Sequence, residues 1–312
     1  MNKGQAFKNN LRVNKKKQQQ IKFETSSKSF ISIIEPYLYI LPAMIIFALF
    51  IFYPFMKTIY LSLNATDSQG TVSSFIGLNN YINLFKLHSF QNSIIVTLKF
   101  AVFTVFPAMI IGFIVGILAN VKLKGIGIFR TIYALPMAIS SASAAVIWMF
   151  LFHPSIGIIN YFLKTNIGWL TDTKWGLTAV AIVTIWMNIG INFIFIIAAL
   201  QGVPRDLYES SAIDGAGIFS KHLHITIPCI SPTLFFLLVI NIINTFQAFG
   251  QINIMTSGGP GESTNVLVHS IYREAFFNNR FGVASAESII LFLILLVLTL
   301  LQFKFGERKV NY

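Results

Sequence analysis

The chain has 312 residues, of which 55% are hydrophobic and 11% charged, with 31 Phe and a mean hydropathy of +0.70. A soluble domain of this length carries about a quarter charged residues, so one water-soluble core is excluded and a polytopic membrane protein is expected. The net charge of +12 sits beside apolar runs rather than on a folded basic domain, which argues against a nucleic-acid partner.

Residues 1–35 form a basic tail with Lys3, Lys8, Arg12, Lys15, Lys16, Lys17, Lys22 and Lys28. The apolar run that follows is too long for a signal-peptide h-region and lacks a small-residue cleavage site, so it reads as a retained span. That first span covers 37–63, with Pro42 and Pro54 near its ends and Lys57 able to snorkel. A polar stretch, 64–90, contains GLNNYINLF. The second span is 93–120, with Pro107 and Gly112 inside it and Lys99 turned outward. The third is 128–152, carrying the small residues Ser140 to Ala145 that let membrane helices approach. A polar loop, 153–174, follows; Trp169 in it and Trp175 just beyond read as interfacial anchors. The fourth span is 177–201, the fifth 230–255 and the sixth 284–303, with Glu287 near its outer end and a tail at 304–312. The one cysteine, Cys229, excludes an intramolecular disulfide and reads as a small packing residue at a span start.

Lysine and arginine placement sets the orientation. With the N-terminus inside, cytoplasmic segments collect the tail cations, then Lys122, Lys124, Arg130, Arg205, Lys221, Lys304, Arg308 and Lys309. The outer loops hold Lys86, Lys164, Lys174, Arg273 and Arg280. Both termini are therefore expected in the cytoplasm, together with the loop at 202–228.

Within that loop, YESSAIDGAGIFSKHLHITIP (208–228) is a polar interval between two of the most apolar runs. Asp206 is placed to cap a short helix, with Glu209 three residues later. Leu207, Tyr208, Ser210, Ser211 and Ala212 continue that helix, and its small residues leave room for another surface. Asp214-Gly215 is a turn dipeptide before Ala216. A second short helix at 218–224 and Pro228 lead into the next span.

Polar residues inside spans are costly and face a pathway or a partner helix. Asn188 and Asn192 share one face of the fourth span, while Asn241, Asn244, Thr245 and Gln247 cluster in the fifth with Phe246 and Phe249. Amides with aromatic rings suit a sugar or polyol route. Interhelical hydrogen bonding accounts for the same residues equally well.

Two motifs fail on their spacing. TSGGPGEST (256–264) has the glycine density of a phosphate loop but lacks its lysine, and reads as a tight turn. His222 and His224 are two apart on a helix and make a poor metal pair. No catalytic triad, carboxylate dyad or zinc spacing stands out, so no catalytic or metal-binding residues are assigned.

The 208–228 stretch resembles the EAA loop of membrane subunits of binding-protein-dependent ABC importers. Glu209, Ala212, Asp214, Gly215, Ala216 and Pro228 match in order and spacing; Ser210, Ser211 and His222 depart from the pattern. The segment 255–292 is similar to the C-terminal part of carbohydrate-uptake permeases. Thr256, Gly258, Gly259, Pro260, Ser263, Thr264, Tyr272, Phe276, Gly282, Ala284, Ser285 and Ala286 match there, and GLNNYINLF recurs in the same branch. The resemblance implies an all-α, six-helix permease of the type I importer fold at 36–303, within the sugar and glycerol-3-phosphate branch. It also implies a second permease subunit as heterodimer partner, a cytoplasmic ABC ATPase dimer, and an extracytoplasmic solute-binding protein. ATP and magnesium would bind in the ATPase and no cofactor in this chain; Leu207 to Ala216 would form the ATPase-coupling segment. The competing reading is a secondary transporter or channel, for which a mid-membrane acid or an internal repeat would be the mark; the spans show neither.

Overall fold

In the computed structural model the described residues are 30–121 and 123–306, so most of the N-terminal tail, Lys122 and residues 307–312 lie outside them. The chain divides into two units between Lys57 and Thr58. Helix α1 (Phe30–Phe47) continues through a π-helical turn, Ala48–Phe52, into α2 (Tyr53–Ser62). The helix starts earlier than the apolar run does, so Pro42 lies inside α1 rather than at its end. Membrane helices tolerate such a proline because neighbouring groups re-satisfy the freed carbonyl.

From Thr58 onward, the elements are β1 (Asn64–Thr66), β2 (Val72–Phe75), α3 (Asn79–Lys86), α4 (His88–Ala119), α5 (Ile126–Ala134), α6 (Ser141–Leu151), α7 (Ile158–Leu163) and α8 (Gly176–Gln201). They continue with α9 (Arg205–Ile213), α10 (Ile218–Lys221), α11 (Ile227–Cys229), α12 (Ser231–Phe246), α13 (Gly250–Met255), α14 (Leu267–Tyr272) and α15 (Phe281–Gly306). Among the described residues the regular structure is helical apart from the antiparallel β1–β2 hairpin. Among the described residues, five helical stretches are long and apolar enough to span a membrane, and a sixth if one bent pair counts as a span.

That bent pair stands where one third span is expected at 128–152. Pro136 sits in a 3-10 turn, Leu135–Ala138, and Ile139 is extended at φ −90, ψ 133. Ser140 then caps α6, its Oγ accepting from the Ser143 N–H at 3.1 Å. A proline followed by a competent N-cap ends one helix and starts another, and α5 and α6 meet at 108°. The fifth span is interrupted too, at Gln247 to Phe249 between α12 and α13.

The centre of the unit is the packing of α4 on α8. Helix α4 has 32 residues, about 48 Å at 1.5 Å per residue. It presents Ala108, Gly112, Gly116 and Ala119, all buried, at spacings of three and four. An added Cβ on Gly112 would lie 2.6 Å from Asn192 Cβ, and one on Gly116 would lie 2.7 Å from Ile196 Cγ2. With no side chain on α4 at these two points, the side chains of Asn192 and Ile196 pack directly on its backbone and gain dispersion along the seam, the main association force where lipid removes the hydrophobic difference. Ile196, Leu200, Val203, Ile230 and Leu237 extend this core toward α9 and α12.

At the far end of α4, the 256–264 loop folds over the first turn. Glu262 Oε1 accepts from Ser89 Oγ (3.1 Å) and from Arg273 Nη2 (3.2 Å), and the Glu262 carbonyl accepts from Asn92 Nδ2 at 3.1 Å. Gly258 has φ +81, and an added Cβ would press on the His269 ring at 2.7 Å. Asn80, in the GLNNYINLF phrase, is buried and donates to the carbonyls of Ser62 (2.9 Å) and Asn64 (3.1 Å), closing the C-terminal end of α2. Trp169 is not an interfacial anchor: it is 5% exposed and its Nε1 donates to Asn160 Oδ1 at 2.8 Å. Cys229 is exposed rather than packed, and Glu287 is buried, with Oε1 accepting from Ser270 Oγ at 3.3 Å.

The α4–α8 seam yields a stability prediction. Gly112→Val is expected to destabilise the protein by about 1–3 kcal/mol through overpacking, seen as a lower midpoint in thermal unfolding of the detergent-solubilised chain. Gly127→Val, with nothing within 4 Å of the added Cβ, is the control expected to change it far less.

Candidate functional site

Two features built from the expected site residues lie at different depths of the bundle. The first is a cavity of about 480 Å³ lined by Ser141, Thr184, Met187, Asn188, Asn244, Gln247, Phe249 and Gln251, among others. It forms where the two helix interruptions meet: Gly250 opens α13 directly against Ser141, which opens α6, and a side chain on Gly250 would overlap Ser141 Oγ. Gln251 is held in place, its Nε2 donating to Thr184 Oγ1 at 3.0 Å. Asn188 Nδ2 is buried without a hydrogen-bond partner, so it has a donor to offer. Every lining side chain is neutral.

The amides that the sequence groups together thus separate into two roles. Asn188, Asn244 and Gln247 line the cavity. Asn192 and Asn241 are fully buried and bond each other: Asn241 Nδ2 donates to Asn192 Oδ1 at 2.7 Å and Asn192 Nδ2 to Asn241 Oδ1 at 3.2 Å. Asn241 Nδ2 also donates to the Leu237 carbonyl at 2.7 Å. This reciprocal pair ties α8 to α12. Phe246, grouped with the pathway in the sequence, packs instead with Phe90, Ala101 and Ile290; its neighbour Phe249 faces the cavity. The helix break at Gln247 separates the two rings, and no sequence period carries across such a break.

The second feature is α9 and the turn after it. The expected capping role of Asp206 is corrected: Pro204 is the N-cap residue, without a side-chain cap bond, and Asp206 lies in the first turn. Pro204 has φ −59 and ψ 133, an extended conformation that starts the helix one residue before the acid. There Asp206 complements the positive end of the helix dipole instead. The helix closes as a Schellman motif. Gly215 takes φ +76, its N–H donates to the Ala212 carbonyl (3.1 Å), and the Ala216 N–H donates to the Ser211 carbonyl (2.9 Å). Ser210 and Ser211 turn their hydroxyls back to the carbonyls of Asp206 (2.8 Å) and Tyr208 (2.9 Å).

One side chain anchors this helix. Tyr208 packs with Leu200, Val203 and Ile225, and its hydroxyl bonds Thr226 Oγ1 at 2.8 Å. Thr226 is fully buried and also meets His222 Nδ1 at 3.0 Å. His222 thereby joins the anchor rather than an outer apolar face. The other face is open: Leu207, Glu209, Ala212, Ile213, Asp214 and Gly215 are exposed, as are Ile218 and Phe219 beyond the turn. Exposed Ile and Phe flanking a rigid turn form an apolar patch with a carboxylate beside it, the composition of a docking surface. Among the described residues no group of three or more His, Cys, Asp or Glu could hold a metal ion.

Residues 108–310 match the family described as binding-protein-dependent transport system inner membrane component. The chain is 37% identical over 281 residues to the sn-glycerol-3-phosphate transport system permease protein UgpA of Yersinia pestis bv. Antiqua, covering 89% of this chain and 95% of that one. A permease chain of a bacterial ABC transporter involved in the import of the acidic polysaccharide alginate superposes with a TM-score of 0.78 at 26% identity, covering 89% of this chain and 97% of that chain. The same alginate transporter in complex with an alginate pentasaccharide-bound periplasmic protein gives 0.78 at 25% identity, over 91% and 99%.

The amide pair is testable by a mutant cycle. Asn192→Ala and Asn241→Ala are each expected to lower unfolding stability by about 1–3 kcal/mol, because each leaves its buried partner unsatisfied. The double variant should lose less than the sum of the two, as read from thermal or denaturant unfolding in micelles.

Proposed function

The chain belongs to the family of binding-protein-dependent transport system inner membrane components and is a permease subunit of an ABC importer; from that premise we propose how it works and what it carries. The solute is a sugar or a related polyol or glycerol phosphate, passing the cytoplasmic membrane of a prokaryote through the cavity lined by Asn188, Asn244, Gln247 and Phe249. Amides donate and accept to hydroxyl groups, and a ring offers an apolar face to sugar C–H groups. The neutral lining favours an uncharged sugar or polyol over a phosphate monoester. A phosphate buried among amides alone would lack the cation that offsets its desolvation.

The partners in this reading are a second permease subunit, an ATPase dimer at the cytoplasmic face, and an extracytoplasmic binding protein that delivers the solute. Both termini lie in the cytoplasm. ATP and magnesium belong to the ATPase, and this chain binds no cofactor. The observation that carries the coupling is the one-sided anchoring of α9. Tyr208 and Thr226 fix its inner face to α8 and the start of α12, while Glu209 and the patch of Ile213, Ile218 and Phe219 stay open to the ATPase.

ATP-driven closure of the ATPase pushes on that open face. The Schellman closure fixes the last turn of α9, and the packing of Tyr208 passes the displacement to α8 through Val203 and Leu200. The Asn192–Asn241 pair makes α8 and α12 move together. Their motion rearranges the helix breaks around the cavity, which switches its access from one face to the other.

Uptake by energised and ATP-depleted vesicles carrying the whole importer tests the reading; equal uptake in both would overturn it. Gly215→Pro is expected to abolish uptake while membrane insertion survives, since proline cannot adopt φ +76 and removes the N–H that bonds Ala212. Asn188→Ala is expected to raise the KM for uptake roughly fivefold, the worth of one neutral hydrogen bond, with the maximal rate less affected.

A further inference from the structure

A second polar cavity, of about 560 Å³, opens between the ends of α4 and α8 and the starts of α5 and α9. Its polar lining comes from Asn120, Arg130, Gln201, Arg205 and Tyr208. No carboxylate is among the lining residues, so two arginines line one space with no acidic partner there. The solute route and the Tyr208–Thr226 anchor account for neither arginine.

Arg130 is already oriented. Its Nε (3.3 Å) and Nη2 (2.9 Å) donate to the Ala119 carbonyl at the C-terminal end of α4. A guanidinium has five N–H donors in a fixed fork, and these two bonds leave the rest for a ligand. The Arg205 side chain makes no hydrogen bond or ion pair among the described residues. It is the first residue of α9, where unpaired backbone N–H groups and the helix dipole add to the positive potential. Planar forked donors on two sides of a cavity match tetrahedral phosphate oxygens.

We propose that the cavity bounded by Arg130 and Arg205 binds a phosphate group, supplied by an anionic lipid headgroup or by free phosphate, and that this ligand clamps α9 to the bundle. Arg130 is tied to α4 and Arg205 belongs to α9, so one anion held by both cross-links the moving element to the fixed one. Val121, Leu200 and Val203 supply an apolar wall, and the volume exceeds that of inorganic phosphate, which suits a glycerophosphate headgroup. Basic pockets between spans at the cytoplasmic surface recognise such headgroups. Binding stands on the cavity alone; the effect on coupling rests on α9 being the ATPase-driven lever proposed above.

The test uses the full importer in nanodiscs of phosphatidylcholine, with phosphatidylglycerol introduced stepwise in one arm. Inorganic phosphate is titrated at constant ionic strength in the other. Thermal unfolding of this chain reports binding, and Arg205→Gln is the deciding variant because Arg205 makes no bond that the fold needs. The expected result is a saturable rise in unfolding temperature that Arg205→Gln weakens about tenfold in apparent affinity, the loss of one charge-assisted hydrogen bond. Lys221→Gln, a cation outside the cavity, should leave it unchanged. A response to phosphatidylglycerol alone assigns the headgroup, and a response to phosphate assigns the free ion. No response in either arm, or one that Arg205→Gln leaves intact, overturns the proposal. ATP-driven uptake by the wild type in pure phosphatidylcholine is measured in parallel. Uptake without anion binding would defeat this inference and leave the transport reading standing.

Discussion

The close approach of α4 and α8 is the constraint on which the second unit depends. Gly112 and Gly116 remove two side chains from the seam, and Asn192 and Ile196 fill the space they leave. Only because the backbones approach this closely does Asn192 lie buried between α4 and α12, where it meets Asn241. Thr104 on α4 adds a weaker link, its Oγ1 donating to Thr245 Oγ1 on α12 at 3.3 Å. Three spans are therefore joined at one level by small residues and reciprocal amides. An apolar seam alone would leave their register less defined, since dispersion has little directionality.

Around this close-packed centre, the irregular backbone has a consistent placement. Both helix interruptions fall where two helix starts meet, at Ser141 and Gly250, and Ser141 with residues 247–250 lines a cavity. Broken helices survive within a membrane on that condition, because an unsatisfied peptide group in hydrocarbon costs several kcal/mol. Unbroken α8 brings Asn188 to this space, and α12 brings Asn244 and, at its break, Gln247. Backbone that pairs neither with itself nor with lipid needs a wet or ligand-filled neighbour.

Helix α9 combines stiffness and exposure in few residues. It has only nine, too few for intrinsic helix stability in water. Its rigidity comes from the anchor at Tyr208 and Thr226 and from a left-handed glycine that closes the last turn. What remains on the outer face is an exposed apolar patch with the Glu209 carboxylate beside it. Anion binding at Arg205 would act on the same element from its other end, so the start of α9 is the natural place for control.

Much of this was legible in the residues. Charge-poor apolar runs identified the spans, because about 20 apolar residues are what a bilayer requires. Asp214-Gly215 identified the turn, because few residues other than glycine tolerate φ near +76. Their local patterns carried the physics unaided. The break within the third span was less visible: Pro136 and Ser140 were in plain view, but each also fits a straight span with a mild kink. The division of the five amides between a cavity and a helix clasp was not visible at all. Asn188 and Asn192 share one helical face, and which of them meets Asn241 depends on how closely α4 lets α8 approach. Trp169 and Phe246 turned inward for the same reason, as a ring's surroundings are set by neighbours distant in the chain. Sequence determined which segments enter the membrane and where the chain turns, since both follow from local solvation and local sterics. The tertiary structure decided which polar groups are consumed in holding helices together and which are left lining a cavity, since that depends on distances between helices that no single segment contains.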